Sequence, residues 1–102
     1  MQPLQQFQRR YLRSVANPLK PTVFIGKNGI TPHITAALEE ALDTHELVKV
    51  RFLEFKDEKQ RIAEELASQC QGECIGIIGH VAMFYRQHPD PQKRSITLPT
   101  EK

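Results

Sequence analysis

The chain has no tryptophan, and only two tyrosines and five phenylalanines among its 102 residues. With so few rings, backbone and shape recognition should outweigh base reading in any nucleic-acid complex. Cysteine is nearly absent too. Cys70 and Cys74 stand four apart, which is not a CxxC pair. A zinc site would need two more ligands, and His80 is the only nearby candidate. The sequence therefore predicts no metal and no cofactor, with Cys70 in a helix core and Cys74 in a strand. No segment approaches the ~18 apolar residues needed to span a membrane. The first residues show no basic-then-apolar signal pattern, so the expected location is the reducing cytoplasm. The motifs GxSxG, HExxH and the Walker loop are missing. No nucleophile is paired with a base. His33, His45, Glu64-Glu65 and the group Glu39, Glu40 and Asp43 read as ordinary solvated helix residues. A non-enzymatic protein is expected.

Negative charge is missing from one part of the chain. Residues 1–38 hold Arg9, Arg10, Arg13, Lys20 and Lys27 and no Asp or Glu, whereas residues 39–73 hold ten acids and five bases. The net charge of +2 conceals this division. An acid-free basic third beside an acidic middle implies a two-sided molecule, and the basic side suits a phosphate-rich partner.

What is present on that side is Gly26-Lys27-Asn28-Gly29. Two glycines allow positive φ and close approach of the backbone to a ligand. Thr31 and Pro32 directly after it signal a helix start. Unpaired N–H groups there carry a positive partial charge, and Lys27 adds a full one. The combination makes a small phosphate cradle. Loops of this GxxG form clamp nucleic-acid backbones in KH modules. The same Asn-Gly pair would also serve as a plain turn.

Periodicity places the loop in a framework. Leu4, Phe7, Tyr11 and Val15, widened by Leu12, predict a first helix over 4–15, stopped by Asn17-Pro18. Residues 22–25 read as a strand and 32–44 as a second helix with Ile34, Ala37, Leu38, Ala41 and Leu42 inward. Alternation over 47–53 puts Val48, Val50 and Phe52 on one face and Lys49 and Arg51 on the other. A third helix fits 57–71, with Gly72 as its C-cap. Strands at 74–78 and 81–86 flank Gly79-His80, a hairpin link with glycine first. Residues 1–86 thus form one domain, and 87–102, rich in proline and mixed charge, form a flexible tail. The order is α-β-α-β-α-β-β: an α/β (α+β) domain with a mixed four-stranded sheet packed with three helices. Strands joined by helices should pair in parallel. If the helices crowd one face, the other stays partly open. Ala82, Phe84 and Arg86, or else Val81, Met83 and Tyr85, would then look outward.

Phosphate-binding candidates are Gly26, Lys27, Asn28 and Gly29 with Arg9, Arg10, Arg13 and Lys20 on the basic side, and Lys49, Arg51 and Arg86 from the sheet. Phe24, Phe84 and Tyr85 could stack on bases, although core positions suit each of them. The chain resembles the CRM family (chloroplast RNA splicing and ribosome maturation), in its single-domain bacterial YhbY-type form. The marks run from about residue 8 to 86. They are Arg9-Arg10-Tyr11-Leu12-Arg13, Lys20-Pro21, Ile25-Gly26-Lys27-Asn28-Gly29, His45-Glu46-Leu47-Val48-Lys49-Val50-Arg51, Ala63-Glu64-Glu65-Leu66-Ala67 and Tyr85-Arg86. The resemblance implies an RNA-binding domain whose GxxG loop lies in the RNA surface. It implies an architecture similar to the C-terminal domain of translation initiation factor three. It also implies association with precursors of the large ribosomal subunit. One position departs: where family members often carry Lys after the hairpin glycine, this chain has His80.

These expectations combine into a non-catalytic RNA-binding protein for ribosome biogenesis, with ribosomal RNA as partner and ribosomal proteins as possible further ones. A monomer is expected, because no apolar surplus demands a dimer. The alternative is a protein-interaction module that docks on a ribosomal protein or assembly factor through the acidic helix faces around 39–43 and 57–65.

Overall fold

The computed structural model describes residues 3–100, so the outermost residues of the expected domain and tail lie outside the described residues. The elements are α1 (Gln6–Ala16), β1 (Val23–Ile25), α2 (Pro32–His45), β2 (Leu47–Phe52), α3 (Lys59–Gln69), β3 (Glu73–Ile78) and β4 (Val81–Tyr85). Short 3-10 turns occupy Lys56–Glu58 and Pro91–Lys93. The predicted order holds. The predicted pairing holds only in part. β1 and β2 run parallel, with Val23 opposite Val50 and Ile25 opposite Phe52. β3 does not pair with β2, because β4 returns from the hairpin into the gap and pairs antiparallel with both. The sheet order is β1-β2-β4-β3. Composition explains the insertion. Val81-Ala82-Met83-Phe84-Tyr85 carries no charge and suits a central strand covered on both faces, whereas β3 contains Glu73 and Gly76 and takes the edge.

Local chemistry sets the helix ends. The Thr31 hydroxyl accepts from Ile34 N at 3.1 Å, and Pro32 opens α2. Gln5 and Gln8 form a capping box at α1. At the end of α3 the left-handed residue is Gln71, with φ +56, and not Gly72. Gly72 answers a different constraint: a Cβ there would sit 3.2 Å from the Tyr85 carbonyl oxygen.

The helices do not crowd one face of the sheet: each face carries a buried cluster. On one face Val23, Ile25, Val50, Phe52, Ala82 and Phe84 meet Leu38 and Leu42 of α2 and Ile62 and Leu66 of α3. On the other, Leu47, Ile75, Met83 and Tyr85 meet Leu12 and Ala16 of α1. Neither alternate set of β4 looks outward, since Met83, Phe84 and Tyr85 are all buried. At roughly 1.5–3 kcal/mol per buried large apolar side chain, covering both faces outweighs leaving either wet. Tyr11, expected in the apolar stripe of α1, is instead exposed, and Ala16 extends the buried side.

The segment after β4 lies against this second core. Ile96 and Leu98 pack on it. Glu46, 1% exposed and in the left-handed conformation with φ +63, holds the segment. Its carboxylate accepts from His88 N at 2.7 Å, Ser95 N at 2.7 Å and Ile96 N at 3.1 Å. A charged acceptor with this many donors tolerates burial. Burial pushes the neighbouring Tyr85 hydroxyl up to about 12, with the Glu46 charge adding to it. Composition suggests a free tail at 87–102; the described part, 87–100, carries specific contacts.

Candidate nucleic-acid interface

The α1 face of the sheet is uncovered at one end. Because Val23 and Ile25 point into the α2–α3 core, Phe24 between them points to the α1 side, as do Arg51, Val81 and Ile78 by the same alternation. These four are cross-strand partners: Phe24 pairs with Arg51, Arg51 with Val81, and Val81 with Ile78. They form one row across all four strands. Phe24 is 47% exposed and Ile78 67%.

The GxxG loop stands at the same end, where β1 runs into α2. Gly29 N donates to Gly26 O at 3.0 Å, closing a turn whose tip presents Lys27 and Asn28 to solvent. Gly29 has φ +65, so glycine is needed there. Gly26 has open space where a side chain would stand. Leu53 N and Glu54 N both donate to Ile25 O, at 2.9 and 3.3 Å, which ties the segment after β2 to the root of the loop. Phe55, also left-handed, lays its ring beside Gly29. Leu53 and Phe55 are both partly exposed.

The β3–β4 hairpin completes the end. Phe52 N donates to His80 O at 2.8 Å. Lys59 Nζ donates to Gly79 O and lies 3.4 Å from His80 Nδ1. Loss of hydration, followed by the charges of Lys59, Lys56 and Arg51, lowers the His80 pKa below its ordinary 6.5. Such a shift marks a concentration of positive charge. The side chains of Lys27, Arg51 and Lys56 have no hydrogen-bonded or ion-paired partner among the described residues.

The other sequence-predicted residues are placed differently. Arg9 Nε is paired with Glu73 at 2.5 Å. Arg13 lies along β3, where Gly76 leaves room for its methylenes, and donates to Ile75 O at 2.9 Å. Lys49 donates to the carbonyls of Asn17 and Leu19 at 3.1 and 2.9 Å, bracing the link from α1 to β1. Arg86 is not on an open sheet face at all. Its side chain is 17% exposed and donates to Cys70 O, Glu39 O and Asp43 Oδ1. It is a brace among β4, α2 and α3. Arg10 is exposed on α1. Lys20 lines a separate hollow of about 410 Å³ with Leu19, His45 and Ile96, by the start of β1. The loop and Arg51 are thus brought together, whereas Arg9, Arg86 and Lys20 are not part of that end.

Sequence reasoning missed Lys56, Lys59 and Phe55. The two lysines flank Asp57-Glu58, so the local charge looks neutral, and only folding sets them beside the hairpin. Burial, above all, raises the pKa of both Cys70 and Cys74, which makes them poor nucleophiles. Among the described residues no group of three or more His, Cys, Asp or Glu could hold a metal ion. Nor is any helix there long and apolar enough to cross a membrane.

A family model described as the CRS1 / YhbY (CRM) domain matches residues 4–86. The chain belongs to the CRM family. Among CRM relatives, the Pseudomonas aeruginosa protein named "Probable RNA-binding protein PA4753" is 36% identical over 91 residues, covering 88% of each chain. A Haemophilus influenzae protein named "RNA-binding protein" is 33% identical over 87 residues, covering 84% of this chain and 88% of its own. The solution structure of the Staphylococcus aureus protein SAV1595 superposes with a TM-score of 0.82 at 34% identity, covering 95% of this chain and all of that one. The CRM match ends at Arg86, so the segment bound by Glu46 lies outside the residues that the family model matches.

Proposed function

We propose that this protein is a non-catalytic RNA-binding protein of the cytoplasm that acts in assembly of the large ribosomal subunit, gripping the RNA backbone at its GxxG end. The observation that carries the reading is the convergence at that end. An exposed glycine-bounded turn with Lys27 at its tip stands at the same end as Arg51 and Lys56, whose side chains are unpaired, and Lys59, which is held against the hairpin. Backbone N–H groups, a helix start and several cations at one place match a polyanion. Relatives named as RNA-binding proteins support RNA as that polyanion. The ribosomal setting rests on the family resemblance. The rival docking face on α2 is weakened, because Glu39 and Asp43 are already engaged by Arg86.

The test is a salt titration of binding to ribosomal RNA fragments, comparing wild type with Lys27→Ala/Asn28→Ala. The expected result is a steep slope of log affinity against log salt for wild type, and a loss of affinity and of about one phosphate's worth of slope in the variant. Equal slopes would reduce the loop to a turn. Binding that survives loop substitution would direct attention to a protein partner.

A further inference from the structure

From the row Phe24–Arg51–Val81–Ile78 we infer that the uncovered end of the sheet is a stacking platform for an unpaired nucleobase, so that the protein selects single-stranded over duplex RNA. The inference rests on the RNA-binding reading and adds which form of RNA is taken and by which residues. Three features of the row point this way. First, an aromatic ring, a planar guanidinium and two branched aliphatic side chains lie in register on one face of the sheet, with Phe24, Arg51 and Ile78 exposed and Val81 half-buried. A lone exposed apolar residue needs no explanation, but four cross-strand partners forming one strip do. Second, three members of the strip, Arg51, Val81 and Ile78, line a hollow of about 210 Å³ whose wall also includes Arg13, Asn17 and Lys49. That is smaller than the ~300–1,000 Å³ of drug-sized sites, which suits one heterocycle rather than a folded partner's side. Its three cations favour a ligand attached to negative charge. Third, Phe24 immediately precedes Ile25 and the Gly26 turn. A phosphate held at Lys27 therefore brings its own or the adjoining base to the platform. A base in a duplex has both faces occupied by its neighbours and cannot use such a surface, whereas every unpaired base offers a π-face. Of the three aromatic residues that the sequence suggests for stacking, Phe84 and Tyr85 are buried, which leaves this task to Phe24.

The test uses the full chain with fluorescein-labelled oligoadenosine and the same strand annealed to oligouridine. Wild type should bind the single strand more tightly than the duplex. Phe24→Leu keeps the apolar bulk and removes the ring. It should weaken single-strand binding roughly 5- to 50-fold while leaving the salt slope unchanged. The chain has no tryptophan, so Phe24→Trp introduces a single reporter, whose emission should be quenched by the single strand and not by the duplex. The platform is overturned if Phe24→Leu binds the single strand within twofold of wild type, or if wild type prefers the duplex. If wild type binds neither RNA, the RNA-binding reading falls first. If it binds both alike with a steep salt slope, that reading stands and the platform alone fails. Unchanged circular dichroism shows that each variant is folded.

Discussion

Arg86 and Lys27 show how little charge alone tells about use. Both are cations in stretches that match the CRM pattern. Lys27 points from a turn tip into water, whereas Arg86 spends its donors on two carbonyls and a carboxylate between three elements. Opposite consequences follow. Arg86→Met should lower unfolding free energy by about 2–3 kcal/mol, because it removes the donor to the Cys70 carbonyl and the partner of Asp43, and should leave RNA affinity of the folded protein unchanged. Urea unfolding and a binding titration on one preparation separate the two effects. Lys27→Ala should do the reverse, with unchanged urea midpoint and weaker binding. His80 offers a proton-linked check. Its pKa in the free protein should lie below 6.5, so the ring is neutral at pH 7. A phosphate brought to the hairpin stabilises the charged form and raises that pKa. Binding should therefore take up a proton and tighten as pH falls from 7 towards 6. Proton NMR titration of the His80 ring with and without RNA reads this directly; an identical midpoint in both states would remove His80 from the interface.

At the scale of elements, helix and strand identities were legible because each depends on neighbours in sequence. The apolar period of α2, the Thr31-Pro32 start and the alternation of β2 are local signals. Pairing was legible only in part: the parallel β1–β2 pair and the β3–β4 hairpin could be read, but the place of β4 beside β2 could not. Whether β4 joins β2 depends on which strand most needs cover on both faces, a comparison across the whole chain. The same holds for the site. Gly26-Lys27-Asn28-Gly29 could be found from spacing, but Lys59 beside His80 exists only after the hairpin folds back over the start of α3. The role of Glu46 was hidden as well, since a Glu after a helix reads as solvated unless its distant donors are known. Its donors lie in the segment 87–100. Removing everything after Arg86 should keep the CRM fold but cost about 2–4 kcal/mol, from two lost apolar contacts and the donors to Glu46. Thermal unfolding of the shortened chain checks this, and an unchanged midpoint would make the segment an ornament of the surface.

The whole molecule is a three-layer sandwich, with α1 on one face of the sheet and α2 and α3 on the other. The two apolar clusters share β4, whose Ala82 and Phe84 enter one while Met83 and Tyr85 enter the other. They should therefore unfold together. Hydrogen exchange followed through a urea titration should give the same midpoint for the amides of Leu12 and Leu66, on opposite faces; separated midpoints would show two independent units. The charge division seen in the sequence is not the one the fold makes, since Arg51, Lys56 and Lys59 reach the GxxG end from the acidic stretch. Free cations gather at the GxxG end, whereas Glu73, Glu39 and Asp43 are matched to arginines elsewhere.

The strand order also dictates a timetable. During synthesis β1 and β2 leave the ribosome long before β4, yet β4 lies between β2 and β3. Until residues 81–85 are out, β2 has a bare edge, Arg51 lacks its neighbour Val81, and Phe52 N lacks the His80 carbonyl. A nascent chain thus has its GxxG turn in hand but no finished surface around it. The surface around the turn is therefore complete only once β4 has slotted in between β2 and β3.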